Sequence, residues 1–280
     1  MDGKPDDTRL SARELILTLM DSTAAETLST AYLVAAGALF DMDPGSIRVA
    51  LARLVRDGSL TAVERGRYGL GSRGGRLHAL VRNWWRAESG LKPWAGDWLA
   101  VLTGHLARAN KTTVRGNERA LRLLGFAEAA PGLWARPANL TRTLDDVRRD
   151  LLELGLDPQG ICAGAAAFAP DDVIDAAALW DTKGLRRRYQ ENRQLLARST
   201  DRLADLDDDT AARETLLVGR RVTRDILLDP LLPDELVDGT ARRAMIDAMR
   251  DYDRIGKACW RDFFNRHAAA VDGPRQHPAA

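Results

Sequence analysis

Cysteine is scarce in this chain. Only Cys162 and Cys259 occur, far apart in sequence, which excludes a disulfide framework and every zinc-type cysteine spacing and fits a reducing cytoplasm. Long apolar runs are also missing. No stretch approaches the ~20 consecutive apolar residues of a bilayer-spanning helix, and the opening MDGKPDDTRL is polar and acidic rather than an apolar signal region. The expectation is a cytoplasmic protein, neither exported nor embedded in a membrane. Histidine is limited to His78, His105, His267 and His277, scattered so that none forms a metal-ligand pair at helical spacing. The glycines of GICAGAAAF lack the Lys-Ser/Thr of a phosphate loop, and no nucleophile elbow occurs. No catalytic residue, metal site or cofactor is therefore expected, and an enzyme is not the favoured class. Net charge is small as well, with 41 basic against 40 acidic residues, so overall charge does not drive polyanion binding.

What is present is a soluble, globular composition, 45% hydrophobic and 29% charged over 280 residues, long enough for two or three domains. The charge is unevenly placed. From Pro44 to Arg86 nine arginines face only Asp57 and Glu64, a local excess of seven positive charges, which suits a polyanionic partner for that segment.

Within it, Asp43 to Leu70 divides its faces. Asp43 is a suitable helix cap and Pro44 a suitable first helical residue. Ile47, Leu51 and Leu54 recur at helical spacing as a core stripe. The opposite side carries Ser46, Val49, Ala52, Arg53 and Arg56, with Arg48 on its flank. Small residues allow close approach to base edges, and arginine bonds guanine or grips phosphate. Gly58 stops the helix. Leu60–Glu64 and Tyr68–Leu70 then read as a hairpin whose turn, Arg65-Gly66-Arg67, brings two arginines to its tip.

In chain order, Met1 to Thr8 reads as a disordered leader. Ser11 and Glu14 form a capping-box pattern ahead of a first helix, and Ser29 opens a second. Three helices and a hairpin make a winged helix-turn-helix over residues 9–72. RGGRLHALVRNWW predicts a linker helix within 73–92. Residues 93–170 alternate as strand (Trp98 to Leu106), helix (Asn117 to Leu124), a pair of extended segments (Phe126 to Leu140), helix (Leu144 to Leu154) and strand (Gly160 to Phe168). That β-α-β-β-α-β order predicts a ferredoxin-like domain. Residues 171–266 read as a helical C-terminal domain whose first helix spans Val173 to Trp180, and 267–280 as a loose tail. The fold class is thus α+β and multidomain.

Separated segments then agree with one family: SARELILTLM, IRVALARLVRDGSL running into ERGRYGL, GDWLAVL, LGFAEAAPGLWARPANL, LWD at Leu179–Asp181 and RDILLDPLLPDEL. In this order, over nearly the whole chain, they resemble the PaaX family of bacterial transcriptional repressors of phenylacetic acid degradation. The resemblance implies a homodimeric repressor with a winged-helix head, a ferredoxin-like domain similar to that of the Cas2 nucleases, and a helical C-terminal domain. It also implies operator duplex DNA as partner and release by a small-molecule effector such as an aryl-CoA thioester.

On these grounds the DNA-contacting residues are Ser46, Val49 and Arg53 near base edges, with Arg48, Arg56, Arg65 and Arg67 on phosphates or the adjacent minor groove. A CoA thioester needs cations for its phosphates and an apolar slot for its acyl group. The candidates are Arg119, Arg122 and Arg136 with Trp134 and Trp180, and more widely Arg186–Arg188, Arg220, Arg221, Arg224 and Trp260. The alternative is a metal-dependent nuclease working through the Cas2-like domain, for which Asp97 is the obvious carboxylate.

Overall fold

The computed structural model describes residues 10–22, 26–73, 75–106, 110–166 and 175–271. The expected leader lies outside them. Among the described residues there are ten α-helices and two small antiparallel sheets, a mixed α/β architecture. The chain divides into two compact units, one built from residues 1–75, 195–222 and 249–280, the other from 76–194 and 223–248.

The first unit begins with α1 (Ala12–Ser22). The capping box predicted there is formed: the Glu14 amide donates to Ser11 Oγ at 3.2 Å, and the Ser11 amide donates to Glu14 Oε2 at 3.0 Å. A two-residue strand β1 (Leu28–Ser29) leads into α2 (Thr30–Ala38), whose cap Ser29 accepts from the Tyr32 amide. Next is α3 (Pro44–Arg56), with the Asp43 carboxylate accepting from the Ser46 amide at 3.0 Å and Pro44 in the first turn. Gly58, at φ +75°, turns the chain out of the helix where a side chain would be strained. Strands β2 (Leu60–Glu64) and β3 (Arg67–Leu70) form the hairpin, and β3 also pairs with β1, giving the order β1-β3-β2.

The core of this unit gathers Leu15, Ile16 and Leu19 of α1, Leu33 and Ala36 of α2, and Ile47, Leu51 and Leu54 of α3. It is completed by residues from near the other end of the sequence. Ala212 and Leu216 come from α9 (Asp208–Leu227), and Trp260 and Phe263 from α10 (Thr240–Val271). Phe264 stands 5.0 Å from the Tyr32 ring, the Arg213 guanidinium lies over Phe40, and Arg220 pairs with Glu14 at 2.7 Å.

In the second unit the predicted linker helix is divided. Its α-helical part, α4, covers Gly75–Arg82 only, and Trp84–Gly90 is a 3-10 helix. Between them Asn83 leaves helical geometry (φ −111°, ψ 20°) and turns its side-chain amide back to the Ala79 carbonyl, while Trp84 goes inside and Trp85 stays exposed. The elements that follow are β4 (Trp98–Leu102), α5 (Lys111–Leu123), β5 (Ala127–Ala130), β6 (Leu133–Pro137), α6 (Leu144–Leu154) and β7 (Ile161–Ala166), with sheet order β5-β6-β4-β7. The first strand is shorter than expected because the chain turns after Thr103, whose carbonyl accepts from the Leu106 amide. The first helix is longer because Asn110 caps it earlier, accepting from the Thr112 amide. Leu99, Val101 and Trp134 of the sheet pack with Ala120 and Leu121 of α5 and Val147 and Leu151 of α6.

The C-terminal helices begin with α7 (Ala176–Leu179), shorter than the expected helix, whose first residues fall outside the described ones, and α8 (Thr182–Leu203). His267 to Val271, expected as tail, continue α10.

The segments most specific to the family resemblance meet here. Asn139 donates to the Leu231 carbonyl at 2.8 Å, Arg242 donates to the Leu232 carbonyl at 2.9 Å, and Asp229 accepts from the Leu231 amide at 2.8 Å. Gly125 sits at φ +77°, where a Cβ would lie 2.6 Å from the Pro230 carbonyl oxygen. LGF, RPAN and DPLLP therefore form one packing device around the turn at Leu231. Likewise Trp180 of LWD stacks on Trp98 of GDWLAVL, their rings within 6° of parallel.

Candidate nucleic-acid interface

The amphipathic division of α3 is realised in full. Ile47, Leu51 and Leu54 are buried, whereas Ser46, Arg48, Val49, Ala52, Arg53 and Arg56 are exposed. Rows of residues three and four apart are neighbours on a helix. Ser46, Val49, Arg53 and Arg56 thus form one line and Arg48, Ala52 and Arg56 the next, with two aliphatic side chains at the centre and arginines around them.

The hairpin is fixed beside this helix by backbone bonds. The Thr30 amide, at the start of α2, donates to the Gly66 carbonyl at 2.8 Å, and Leu28 and Ser29 pair with Tyr68 and Arg67. Arg65 occupies the turn and is exposed. The second arginine expected at the tip is not there. Arg67 opens β3, where its guanidinium pairs with Glu64 at 3.2 Å and donates to Thr27 Oγ1. Strand pairing requires its backbone, so its side chain leaves from the strand rather than from the turn.

The electrostatics favour an anion. Among the described residues Arg48, Arg53, Arg56 and Arg65 have no ion pair or side-chain hydrogen bond, so their donors are available. The two acids of the segment are both engaged. Glu64 is held by Arg67, and Asp57 is held by Arg13 of α1 at 2.7 Å. Hydrogen bonding from Ser59, and then the Arg13 guanidinium, bring the Asp57 carboxyl down to about 2, so it is a fully charged but compensated neighbour of the basic face. Glu14 of α1 is raised by burial, but the Ser11 amide and hydroxyl and the Arg220 guanidinium bring its carboxyl below the ordinary range. The helix that carries Arg13 is thereby anchored to α9.

Sequence reasoning missed Arg13 and Thr27, and it missed the pairing of Arg220 with Glu14. Each acts on a partner distant in sequence, and no local pattern marks them. Val63 was missed too. It lies 62% exposed at the irregularity between Ala62 and Glu64 in β2, where alternation fails.

The residues expected to bind an effector differ in their surroundings. Arg119 and Arg122 are exposed on α5, with the Arg122 guanidinium 5.6 Å from the centre of the Trp134 ring. Trp134 itself is core, and Trp180 is buried against Trp98. Arg136 is corrected: at 2% exposure it directs its nitrogens to the Leu124 and Pro137 carbonyls and to Asn139 Oδ1 at 3.1 Å. Burial, and then repulsion from Arg142, lower its pKa to about 9. It holds the family-specific segments together and is not presented to an external phosphate. Arg220 and Trp260 belong to the first unit, as partner of Glu14 and as core residue. Asp97 precedes β4, and its carbonyl accepts from the Trp94 indole and the Ala138 amide. Among the described residues no three His, Cys, Asp or Glu side chains group closely enough to hold a metal, and no helix is long and apolar enough to cross a membrane.

No family model matches the chain. A solved structure of the uncharacterized protein Rv0674 from Mycobacterium tuberculosis aligns with 91% of this chain and 99% of its own, at a TM-score of 0.56 and 24% identity, a likeness of fold alone. The transcriptional repressor PaaX of Escherichia coli (strain K12) is 30% identical over 229 residues, covering 76% of this chain and 69% of the relative. Identity at that level, over more than two thirds of both proteins, means that this chain belongs to the PaaX family.

Proposed function

We propose that the protein is a sequence-specific DNA-binding transcriptional regulator, a repressor of an aromatic-acid type catabolic operon that acts as a homodimer and is released by an acyl-CoA or related effector. The observation that carries the DNA-binding part is the exposed face of α3. Small and aliphatic side chains stand at its centre, unpaired arginines surround them, and Arg65 extends the basic surface onto the adjoining hairpin. The element order α1-β1-α2-α3-β2-β3 with sheet order β1-β3-β2 supports reading this region as a winged helix-turn-helix, with α3 entering the major groove. The order β5-β6-β4-β7 with two helices on one face supports a ferredoxin-like reading of the second unit. Repression is inferred from the Escherichia coli relative, a transcriptional repressor.

Ser46, Val49 and Arg53 are the proposed base contacts, and Arg48, Arg56, Arg65 and Arg67 the phosphate contacts. For the effector, Arg119 and Arg122 remain proposed anion contacts on the exposed side of α5, beside Trp134.

Selection from a random duplex library tests the reading. The expected result is enrichment of a palindromic site that the protein shields from cleavage. Failure to enrich any sequence would overturn it. A panel of acyl-CoAs tests the effector, because a ligand that binds only the folded state raises the melting temperature. A flat panel would remove the effector while leaving DNA binding in place.

A further inference from the structure

We infer that Val49 reads the 5-methyl group of a thymine in the major groove, and that a guanine contacted by Arg53 lies within two base pairs of it. This rests on the DNA-binding reading above and names the base chemistry that the face selects.

Val49 is 51% exposed, belongs to no core cluster of its unit, and stands on a helix whose buried stripe is already complete with Ile47, Leu51 and Leu54. A β-branched residue is also a poorer helix former than alanine, so neither packing nor propensity explains it. Its surroundings are specific. Ser46 lies one turn before it, Ala52 and Arg53 one turn after it, and Arg48 and Arg56 flank the pair. The acids at the two ends of the helix are both engaged: Asp43 accepts from the Ser46 amide, and Asp57 pairs with Arg13. An apolar protein partner would leave four free guanidinium groups unmatched, and a bare phosphate backbone would leave the valine unmatched.

A duplex major groove matches both. Every base edge there presents hydrogen-bonding atoms, and thymine alone adds a methyl group; guanine offers the two acceptors that suit a guanidinium. A purine or cytosine edge facing Val49 would lose its water without gaining a partner. Ala52 beside Val49 leaves room for the helix to approach. Side chains four apart on a helix are ~5–6 Å apart at Cβ, and base pairs rise by ~3.4 Å, which sets the one-to-two base-pair spacing between thymine and guanine.

The experiment uses the full-length chain and the duplex site that selection enriches. Each thymine is replaced singly by deoxyuridine, which removes the methyl group and changes no hydrogen-bonding atom. One replacement per half-site is expected to weaken binding by about fourfold, the effect of one buried methyl-sized group. In the Val49→Ala variant the same replacement is expected to have no further effect. In Arg53→Ala the deoxyuridine penalty remains while discrimination at the neighbouring guanine is lost. The inference is overturned if wild-type protein tolerates deoxyuridine at every position, or if the penalty persists unchanged in Val49→Ala. If no sequence is enriched at all, the DNA-binding reading fails first and this inference with it. Circular dichroism checks that both variants keep their helix content, and Val49 is exposed, so both are expected to fold.

Discussion

Removing Arg48, Arg56 and Arg65 together by alanine substitution should flatten the salt dependence of DNA binding by a calculable amount. Each is exposed and, among the described residues, unpaired, so each is free to displace a counterion from one phosphate. A phosphate contact contributes about −0.9 to the slope of log affinity against log salt for duplex DNA. The triple variant should therefore have a slope shallower by about 2.7 per protomer, or about 5.4 for a homodimer on a palindromic site, and each contact should account for about a 3.5-fold loss between 50 and 200 mM salt. Arg67 differs because Glu64 already shares its charge. Arg67→Ala removes a cation and also frees a carboxylate beside the hairpin, so it should weaken operator and random duplex alike by more than its own contact. Fluorescence anisotropy over a salt series, on the selected site and on random duplex, measures both. An unchanged slope in the triple variant would refute the placement of these arginines on phosphates, and a loss confined to the operator would refute it for Arg67.

Trp260→Ala should destabilise the unit that carries α3. Its ring is 6% exposed and packs against Phe263 at 5.3 Å in the same core as Leu15, Ile47 and Leu51, and truncation of a buried aromatic costs on the order of 3–5 kcal/mol. Hydrogen exchange of the α1 and α3 amides should accelerate, and unchanged protection there would contradict a shared core. Arg13→Ala addresses pH. The Asp57 carboxyl is lowered from 3.8 to about 2, so its stabilisation is present above the unfolded value and is lost as pH falls from about 4 toward 2. Because Ser59 is the larger cause, the variant should move the carboxyl only part of the way back, read by NMR titration of Asp57. Its stability deficit relative to wild type should shrink between pH 5 and pH 2, and a deficit that stays constant would rule out the pair as its origin.

Local chemistry settled much of the local structure. Ser11, Ser29, Asp43 and Thr143 each satisfy backbone amides at a helix start, and such caps are readable because donor and acceptor lie within three residues. The division of α3 was equally readable, since its period alone assigns Ile47, Leu51 and Leu54 to one side. The break at Asn83 was not, because Leu77, Leu80, Val81 and Trp84 keep a helical period through it, and it shows only in the backbone of Asn83 and the bond from its side-chain amide to the Ala79 carbonyl. The shortened strand was not readable either, because the turn that ends it after Thr103 brings Gly104 against Gly132, far along the sequence.

The sequence by itself determined where helices start, which side of α3 is apolar, and that arginines crowd one segment, for these depend on spacing over a few residues. Only the tertiary structure decided what those features meet. It showed that Asp57 and Glu64 are compensated, that Arg136 is turned inward onto backbone carbonyls, and that Ala212, Leu216, Trp260 and Phe263 complete the core behind α3. The reason is physical: an amphipathic stripe specifies that a face must be buried, but any apolar surface of matching shape can bury it, so the partner is fixed only when the whole chain packs.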